Sequence, residues 1–346
     1  MSTVRANTYL DASGGSNAVF SGVASPPNSM GFRNRILNGD CRIDQRNAGA
    51  SVTANDNVFP VDRFSFSMTQ SSKGTGQRST TAPAGFANSL LFTSSSAYSV
   101  LAADQFAIVH KIEGFNSADL GWGAAGAQSV TLSFWVRSSL TGTFGGSLQN
   151  SAANRSYPFT YTISAANTFE YKTITIAGDT SGTWLTDNGI GIRVFISLGM
   201  GSTSSGTAGA WAASNFQSAT GATSVVGTNG ATFYITGVQL EAGTVASPFE
   251  RRDYGRELMM CQRYFQTGQT GALGYTSINT GSAAAYPYPV VMRATPTLSP
   301  VTFTNGTNTR QGATYFITAE AMMRYGLANA TGATEWRETF TLSVEL

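Results

Sequence analysis

Residues 233–265 read FYITGVQLEAGTVASPFERRDYGRELMMCQRYF, and they join a predicted strand to a predicted helix at a domain border. The strand pattern is carried by four apolar residues: Phe233, Ile235, Val238 and Leu240. Their alternation is typical of a half-buried strand, and it breaks phase at Gly237. The run EAGT at 241–244 then ends the strand in a turn. After Pro248, apolar spacing of three and four residues predicts a helix of about four turns or fewer over 253–265.

Upstream of this stretch, short predicted strands alternate with turns rich in Gly, Ser and Asn. The strands fall at 64–68, 89–92, 106–112, 130–137, 159–163, 169–176, 192–198 and 232–240. About eight such strands predict a two-sheet antiparallel sandwich. Within it, alternation assigns Trp135 to the core, and the Gly-rich runs at 121–128 and 142–147 are assigned to turns. The loop at 201–230 is long enough to be a candidate contact surface.

Downstream of the helix the β pattern returns in a smaller form, at 286–292, 297–303, 313–318 and 339–345. About 80 residues make a marginal core, so this region is expected to associate with copies of itself. Residues near the N-terminus hold one weak apolar patch and cannot build a core alone. We interpret them as an extended tether, with a disordered leader as the alternative. The predicted organisation is an extended segment at 1–33, a sandwich at 34–250, a connecting helix at 251–265 and a β-domain at 266–346.

Several of these stretches resemble bacteriophage virion proteins, mostly tail fibre and receptor-binding proteins. The similar segments are GVQLEAG, SPFERR and CQRYF in the opening stretch, RNRILNGDCRIDQRNAGASV at 33–52, PVDRF at 60–64 and VTLSFWVRSS at 130–139. Further similar segments are MSTVRANTYLDASGG at the start, VVMRATPTLS at 290–299 and WRETFTLSVEL at 336–346. The resemblance implies a jelly-roll domain similar to carbohydrate-binding modules, an N-terminus that attaches to the virion, and homotrimers.

Composition bounds the function independently. Charged residues make up 12% of the 346 residues and the net charge is +2, against a usual charged share of about 25%. Because no Lys/Arg cluster lies beside an aromatic platform, we expect no nucleic-acid partner. No apolar run approaches the roughly 20 residues that span a bilayer, and the start lacks the blocks of a signal peptide, so we expect no membrane insertion.

Few residues in the sequence are candidates for catalysis or metal binding. His110 is the single histidine and lies within a predicted strand, so we interpret it as a structural residue and expect no enzyme activity. Cys41 and Cys261 are interpreted as buried free thiols, with a disulfide left open. Asp179 and Asp187 are read as Asx turns, with a structural Ca²⁺ site and a glycosidase pair as alternatives. No cofactor or catalytic metal is predicted.

Sugar recognition needs an aromatic plate with nearby hydrogen-bonding groups. Four segments offer that combination, and their candidate glycan-binding residues are Trp184, Asp187, Trp211, Tyr286, Tyr288 and Trp336. The alternative is that these large aromatic rings belong to the core. The two most exposed plates are expected to be Trp211 and the Tyr-Pro-Tyr segment.

A charged group follows the predicted sandwich: Glu250, Arg251, Arg252 and Arg256. We expect ion pairs that fix the helix between domains or subunits, and the alternative is a grip on an anionic glycan.

These observations favour a homotrimeric tail fibre or receptor-binding spike that resides in the virion and is assembled in the host cytoplasm. Its partners would be itself, other phage tail or capsid proteins bound through the N-terminal segment, and a host surface polysaccharide or lipopolysaccharide. A capsid decoration fibre or tail adaptor is the first alternative. A polysaccharide depolymerase is the second.

Overall fold

The protein is all-β. The structure, a computed structural model, describes residues 32–308 and 314–346, with side chains left undescribed at 300–307. Nearly all of the predicted N-terminal segment at 1–33 lies outside these residues, and Asn34–Leu346 forms one compact unit.

The β-sandwich is built from thirteen strands: β1 Val52–Thr53, β2 Phe64–Met68, β3 Gly74–Ser79, β4 Ser89–Ser94, β5 Gln105–Glu113, β6 Val130–Ser138, β7 Gly142–Gln149, β8 Ser156–Ile163, β9 Glu170–Ile176, β10 Ile190–Met200, β11 Ser205–Gly206, β12 Ser218–Ala219 and β13 Thr232–Ala242. One face is a six-stranded sheet in the order β1-β3-β4-β13-β6-β9, and the other is a five-stranded sheet in the order β2-β5-β10-β7-β8. Both of these sheets are antiparallel throughout, and β11 and β12 pair in parallel as a separate two-stranded sheet. The predicted antiparallel jelly-roll sandwich is therefore confirmed.

The sandwich core lies between the two sheets. Leu132, Phe134 and Val136 of β6 point inwards and are fully buried. Each such side chain contributes about 1.5–3 kcal/mol of transfer free energy. Since alternate residues of a strand face opposite sides, Trp135 points outwards and is only half-buried. The prediction that Trp135 belongs to the core is wrong, because Phe134 occupies the inward position.

Strand β7 contains the Gly-rich run at 142–147 that was assigned to a turn, and that prediction is wrong. The glycines serve close packing between strands. A Cβ on Gly146 would lie 2.3 Å from the carbonyl oxygen of Phe195 and 2.5 Å from Cζ of Phe159. A Cβ on Gly145 would lie 2.5 Å from Oγ of Ser218. Glycine is required here by the near approach of the neighbouring strand and loop.

The predicted connecting helix is present as α1, Tyr254–Gln262. Asp253 caps it, because its side chain accepts a 2.9 Å hydrogen bond from the backbone N–H of Arg256. Among the described residues, no helix is long and apolar enough to cross a membrane.

Six further strands follow the helix and make up the C-terminal β-region: β14 Phe265–Thr276, β15 Gly281–Pro287, β16 Thr297–Thr307, β17 Thr314–Ile317, β18 Ala321–Leu327 and β19 Gly332–Ser343. They form two three-stranded sheets, β14-β19-β16 and β15-β18-β17. A small core lies between them, made of Tyr288, Met292, Met322, Phe340 and Leu342. The predicted smaller sandwich is confirmed, although the strand expected at 286–292 is observed at Gly281–Pro287.

Charged side chains join the sandwich to the C-terminal β-region. Arg263 donates two hydrogen bonds to the carboxylate of Glu113, at 3.0 and 2.6 Å. Arg46 and Arg63 both pair with Glu345 near the end of the chain. Lys111 Nζ lies 2.5 Å from the backbone oxygen of Leu346. The last residues of the chain are thereby held against the sandwich.

Candidate functional site

A groove on the outer face of the six-stranded sheet is a concave surface rich in aromatic side chains. Its volume is about 440 Å³, and its lining comprises Phe86, Ser133, Trp135, Tyr171, Gly237, Ala246, Ser247, Pro248, Phe249 and Arg251. We call this surface the aromatic groove.

The floor of the aromatic groove is a cross-strand pair. Trp135 of β6 lies directly opposite Tyr171 of β9, and their ring centroids are 5.4 Å apart at 45°. Tyr171 is 43% exposed, so its ring remains available to a ligand. Aromatic pairs at this spacing stabilise neighbouring strands and give a continuous apolar surface.

The opposite wall combines two phenylalanines and an arginine. Phe86 and Phe249 meet edge to face with centroids 5.3 Å apart. The guanidinium of Arg251 lies 4.7 Å from the centroid of Phe86 and 5.8 Å from that of Phe249. Cation–π attraction positions this charge on the groove wall.

Gly237 makes the aromatic groove continuous. The pairing of β13 with β6 shifts register between Thr236 and Gln239, and Gly237 has a φ of 61°. A Cβ at this position would lie 2.7 Å from Cζ of Phe86 and 3.2 Å from Cδ1 of Trp135. The phase break at Gly237 in the sequence is therefore a β-bulge over which the two rings approach each other.

The rim of the aromatic groove is anchored by a buried carboxylate. Glu241 accepts hydrogen bonds from the backbone N–H and the hydroxyl of Ser247, at 2.8 and 2.5 Å. The side chain of Gln239 donates to the same carboxylate at 2.9 Å, and Oγ1 of Thr175 donates to the backbone oxygen of Thr244 at 3.0 Å. These bonds hold the rim loop in place without a ligand.

The sequence analysis did not identify Trp135, Tyr171, Phe86 and Phe249 as site residues. The alternation of β9 does indicate that Tyr171 is exposed, because Tyr171 shares its strand face with Thr173 and Thr175, which is the solvent face. Only strand register places Trp135 beside it, and register between β6 and β9 does not follow from periodicity.

Trp184 and Trp211, two predicted sugar plates, lie in a cluster with Trp122. The three ring centroids are 4.7 to 5.4 Å apart in edge-to-face contacts, and Tyr157 adds a contact to Trp211 at 5.3 Å. The indole N–H of Trp122 donates to the backbone carbonyl of Gln128, that of Trp184 to the carbonyl of Ser181, and that of Trp211 to the carbonyl of Ala177. The cluster ties three loops together, so the expectation that Trp211 is a separate exposed plate is corrected.

Asp179 and Asp187 form turns, as the Asx interpretation predicts. Oδ1 of Asp187 accepts from the backbone N–H of Gly189 at 2.8 Å, and Oδ1 of Asp179 accepts from that of Ser181 at 3.1 Å. Asp179 is buried, and Arg155 donates to both of its oxygens at 2.8 and 2.6 Å. Asp179 is thus committed to an ion pair. Within 32–308 and 314–346, no group of three His, Cys, Asp or Glu residues could hold a metal ion.

The remaining predicted plates lie in the C-terminal β-region and are less exposed than expected. Trp336 is fully buried, donates its N–H to Ser282 at 2.9 Å and lies under the guanidinium of Arg324 at 3.8 Å. Tyr288 is 9% exposed, and Tyr286 packs edge-on against Phe340 at 5.0 Å. The predictions of exposed plates at Trp336 and Tyr288 are wrong, because Tyr288 packs into the small core and Trp336 is covered by Arg324 and bonded to Ser282.

The charged residues that follow the sandwich occupy two kinds of environment, one buried and one exposed. Arg252 is buried, pairs with Glu257 at 3.3 Å and Glu250 at 3.5 Å, and donates to the backbone oxygens of Asn34 and Ile36. Arg251 and Arg256 are exposed. Of these two, Arg251 lines the aromatic groove. The expected structural ion pairs therefore belong to Arg252 and Glu250.

His110 and the two cysteines are structural. Nε2 of His110 lies 3.1 Å from the carbonyl oxygen of Leu37, and burial together with the charge of Arg63 holds the pKa of His110 well below its ordinary value. Cys41 and Cys261 are both free and buried, and burial raises the pKa of each thiol. The prediction of buried free thiols is confirmed.

A second, more polar groove of about 240 Å³ lies on the outer face of the five-stranded sheet. Arg193 donates to Gln149 Oε1 at 3.1 Å within it, and Lys111 also lines it. Burial and the nearby charges of Arg193 and Arg63 lower the pKa of Lys111. The two aromatic residues that line this groove, Phe66 and Phe195, are both buried, so the groove lacks an exposed stacking surface among its described lining residues.

The fold and the aromatic groove define an all-β sandwich protein with a preformed aromatic site on one sheet face. No protein-family model matches the chain. A search of curated proteins likewise finds no match.

Three solved structures illustrate what the chain is similar to. A putative sugar-binding protein from Bacteroides thetaiotaomicron is 11% identical with a TM-score of 0.34, and the match covers 61% of this chain and 100% of that one. The family 11 carbohydrate-binding module from Clostridium thermocellum, in complex with a β-1,3-1,4-mixed-linked tetrasaccharide, is 13% identical with a TM-score of 0.28, covering 57% and 98%. The enzymatically active domain of tailspike protein 4 of bacteriophage CBA120 is 11% identical with a TM-score of 0.31, covering 52% of this chain but 19% of that one.

Proposed function

We propose that this chain is a phage virion protein, a tail fibre or spike, that binds a glycan of the host cell surface through the aromatic groove. The observation that carries the glycan-binding proposal is the Trp135–Tyr171 pair, whose rings lie 5.4 Å apart in an open groove. Sugar rings present apolar C–H faces that pack on aromatic rings, and their hydroxyls bond to polar groups at the rim. Ser247 is such a group here, and the hydroxyl-bearing Ser133 of β6 also lines the groove.

The size and rigidity of the aromatic groove suit a small ligand. Binding pockets for small molecules span about 300–1,000 Å³ and are usually preformed. The groove, at about 440 Å³, lies within that range. Its rim loop is held by Glu241 before any ligand arrives, so little ordering entropy is lost on binding.

The virion role is supported by the sequence resemblance and by the low share of charged residues. The segments at 33–52, 60–64 and 130–139 resemble tail fibre and receptor-binding proteins, and charged residues make up only 12% of the chain. In this proposal the segment at 1–33 attaches to other phage tail or capsid proteins. The protein would then reside in the virion after assembly in the host cytoplasm.

Self-association is supported by the distribution of exposed apolar side chains. Among the described residues, seven of the thirteen exposed large hydrophobic side chains lie in the C-terminal β-region: Leu273, Tyr275, Ile278, Val291, Phe316, Met323 and Tyr325. Phe316 of β17 lies opposite Met323 of β18, which lies opposite Ala285 of β15. An exposed apolar row across one sheet fits burial against copies of the same chain, which is the trimer that the resemblance implies.

Three weak sites on one particle would act together. Once one groove is bound, the others meet their ligands at high effective concentration, so avidity exceeds the affinity of one site without new contacts. This mechanism requires no chemistry. We expect no enzyme activity, because Asp179 is committed to Arg155 and His110 is buried against Leu37.

The test is a glycan array probed with the full chain, followed by titration calorimetry against the best hit. We expect Trp135→Ala and Tyr171→Ala each to weaken binding about tenfold or more, since aromatic stacking contributes energy beyond area burial. Tyr254→Ala is the matched control, because Tyr254 is exposed but lies on the helix outside the groove.

Antibodies to the chain should label intact particles if the virion proposal is right. Release of reducing sugar from a polysaccharide would instead favour the depolymerase. If the antibodies label intact particles but the chain binds no glycan, the decoration or adaptor role would be favoured.

A further inference from the structure

We propose that the aromatic groove recognises an acidic sugar, one that carries a carboxylate, and that Arg251 is the residue that selects it. This inference rests on the proposed glycan-binding function and adds the chemical class of the ligand.

Arg251 is part of the same continuous surface as the stacking pair. Its guanidinium lies 4.7 Å from the ring centroid of Phe86. Phe86 and Trp135 approach each other over Gly237, and Trp135 contacts Tyr171. A sugar stacked on Trp135 and Tyr171 therefore lies in a groove whose wall carries a fixed positive charge.

The aromatic groove contains no compensating negative charge among its described lining residues. Its lining is aromatic, aliphatic and hydroxyl-bearing, with Arg251 as the charged member. Glu241, beneath the rim, is buried and accepts hydrogen bonds from Ser247 and Gln239. Asp40 lies within electrostatic range of Arg251 but pairs with Arg42 at 3.2 Å.

The guanidinium is held by ring contacts rather than by an ion pair. No ion pair or hydrogen bond of Arg251 occurs within the part of the chain that the structure describes, whereas Arg252 beside it is buried, pairs with Glu250 and Glu257, and donates to backbone oxygens of Asn34 and Ile36. The faces of Phe86 and Phe249 fix the position of the Arg251 charge and leave its N–H donors free. Five donors in a planar fork match the two oxygens of a carboxylate.

A neutral glycan would not use this arrangement. Hydroxyl groups can accept single hydrogen bonds from a guanidinium, but a carboxylate accepts two parallel charge-assisted bonds. Uronic acids and sialic acids share that group, so the ligand class is the carboxylated sugar and the experiment distinguishes the two sources.

The experiment uses the full chain on a glycan array that holds uronate-containing, sialate-containing and neutral oligosaccharides. The best hit is then titrated beside its carboxyl-reduced form, which keeps the ring and removes the charge. We expect the hits to be acidic and the reduced form to bind about tenfold more weakly. Raising the salt concentration should reduce the difference in affinity between the acidic sugar and its reduced form.

Two arginine variants locate the effect. Arg251→Gln should weaken binding of the acidic sugar about tenfold and leave the reduced form unchanged. Arg256→Gln, which removes an exposed charge five residues further on and outside the groove, should change neither. Unchanged melting temperatures for both variants confirm that the fold is intact.

The outcomes separate this inference from the proposed function. If the hits are neutral, or if Arg251→Gln binds the acidic sugar as well as wild type does, the acidic-sugar inference is overturned, while loss of binding in Trp135→Ala still supports the groove. If no oligosaccharide binds, or if Trp135→Ala binds normally, the glycan-binding function itself is wrong.

Discussion

Glu113 and Arg263 form a two-point ion pair between the end of strand β5 and the residue that follows helix α1. Nε and one terminal nitrogen of Arg263 donate to the two carboxylate oxygens at 3.0 and 2.6 Å. Tyr264 donates its hydroxyl to the same carboxylate at 2.5 Å. Since the Glu113 side chain is 1% exposed and that of Arg263 is 33% exposed, one carboxylate organises the joint between the sandwich and the C-terminal β-region.

Glu113→Ala should destabilise the protein by about 2–3 kcal/mol, because it leaves the buried hydroxyl of Tyr264 without its acceptor. The cost stays below that of a fully buried pair, since Arg263 reaches water. Chemical unfolding in urea measures the change. The control is Asp119→Ala, which breaks the 2.5 Å pair with Arg35 at a carboxylate that is 55% exposed and should cost about 0–1 kcal/mol. Equal effects in the two variants would contradict the role of Glu113.

His110 should make stability fall at mildly acidic pH. Its native pKa is lowered by burial and by the charge of Arg63, whereas an unfolded histidine titrates near 6.5. Below about pH 6.5 the unfolded state therefore binds more protons, and stability falls by up to about 1.4 kcal/mol per pH unit until the native pKa is reached. The contribution of His110 to the free energy of unfolding is fully present above about pH 6.5 and is lost as the pH falls towards the native pKa.

His110→Gln isolates this effect, because an amide can donate to the backbone oxygen of Leu37 without titrating. The raised pKa values of Asp40 and Asp62, caused mainly by burial, act in the opposite direction and are common to both proteins. We expect urea unfolding at pH 7, 6 and 5 to show a smaller loss of stability in the variant. If the free energy of unfolding falls equally with pH in the two proteins, His110 is not the cause of the loss of stability in acid.

Gly237→Ala should damage the aromatic groove as well as the fold. Any L-residue at its φ of 61° costs about 1 kcal/mol, and the new Cβ would also force Phe86 and Trp135 apart. Gly230→Ala is matched to it, with a φ of 75° and no heavy atom within 4 Å of the new Cβ. We expect both variants to lose stability but only Gly237→Ala to weaken glycan binding, by about tenfold in calorimetry. Equal glycan affinity in the two variants would mean that the positions of the Phe86 and Trp135 rings do not affect binding.

The sequence predicted strands best where apolar residues alternate without interruption. Strand β2 has the predicted bounds Phe64–Met68, and β6, β9, β10 and β13 fall within two residues of theirs at each end. Strands β7 and β14 were missed, because FGGS and TGQTGALG carry glycines where alternation would need side chains. Those strands exist because neighbouring strands pair with them, which is information from tertiary structure.

The candidate site was harder to predict than the fold. The residues Phe134 and Trp135 are adjacent aromatics in one strand, and periodicity cannot decide which of them faces the core until the strand is placed in its sheet. Trp336 follows polar residues that favour exposure, yet it is buried beneath the guanidinium of Arg324. Tyr288 lies in a Pro-containing segment that favours exposure, yet the small C-terminal core has few other large side chains to bury. Local sequence does not report that shortage.

The apolar row on the C-terminal β-region should hold the assembly together. Phe316 and Met323 are 56% and 40% exposed in the single chain, and they lie opposite each other on neighbouring strands. We expect the wild-type chain to be a trimer by light scattering. Replacing both residues with Asp would place unpaired carboxylates in the interface and weaken association about 100-fold or more. Leu101→Asp, at a side chain that is 62% exposed on the sandwich, should leave the trimer intact. A wild-type monomer, or a double variant that still trimerises, would rule out this face as the contact between copies.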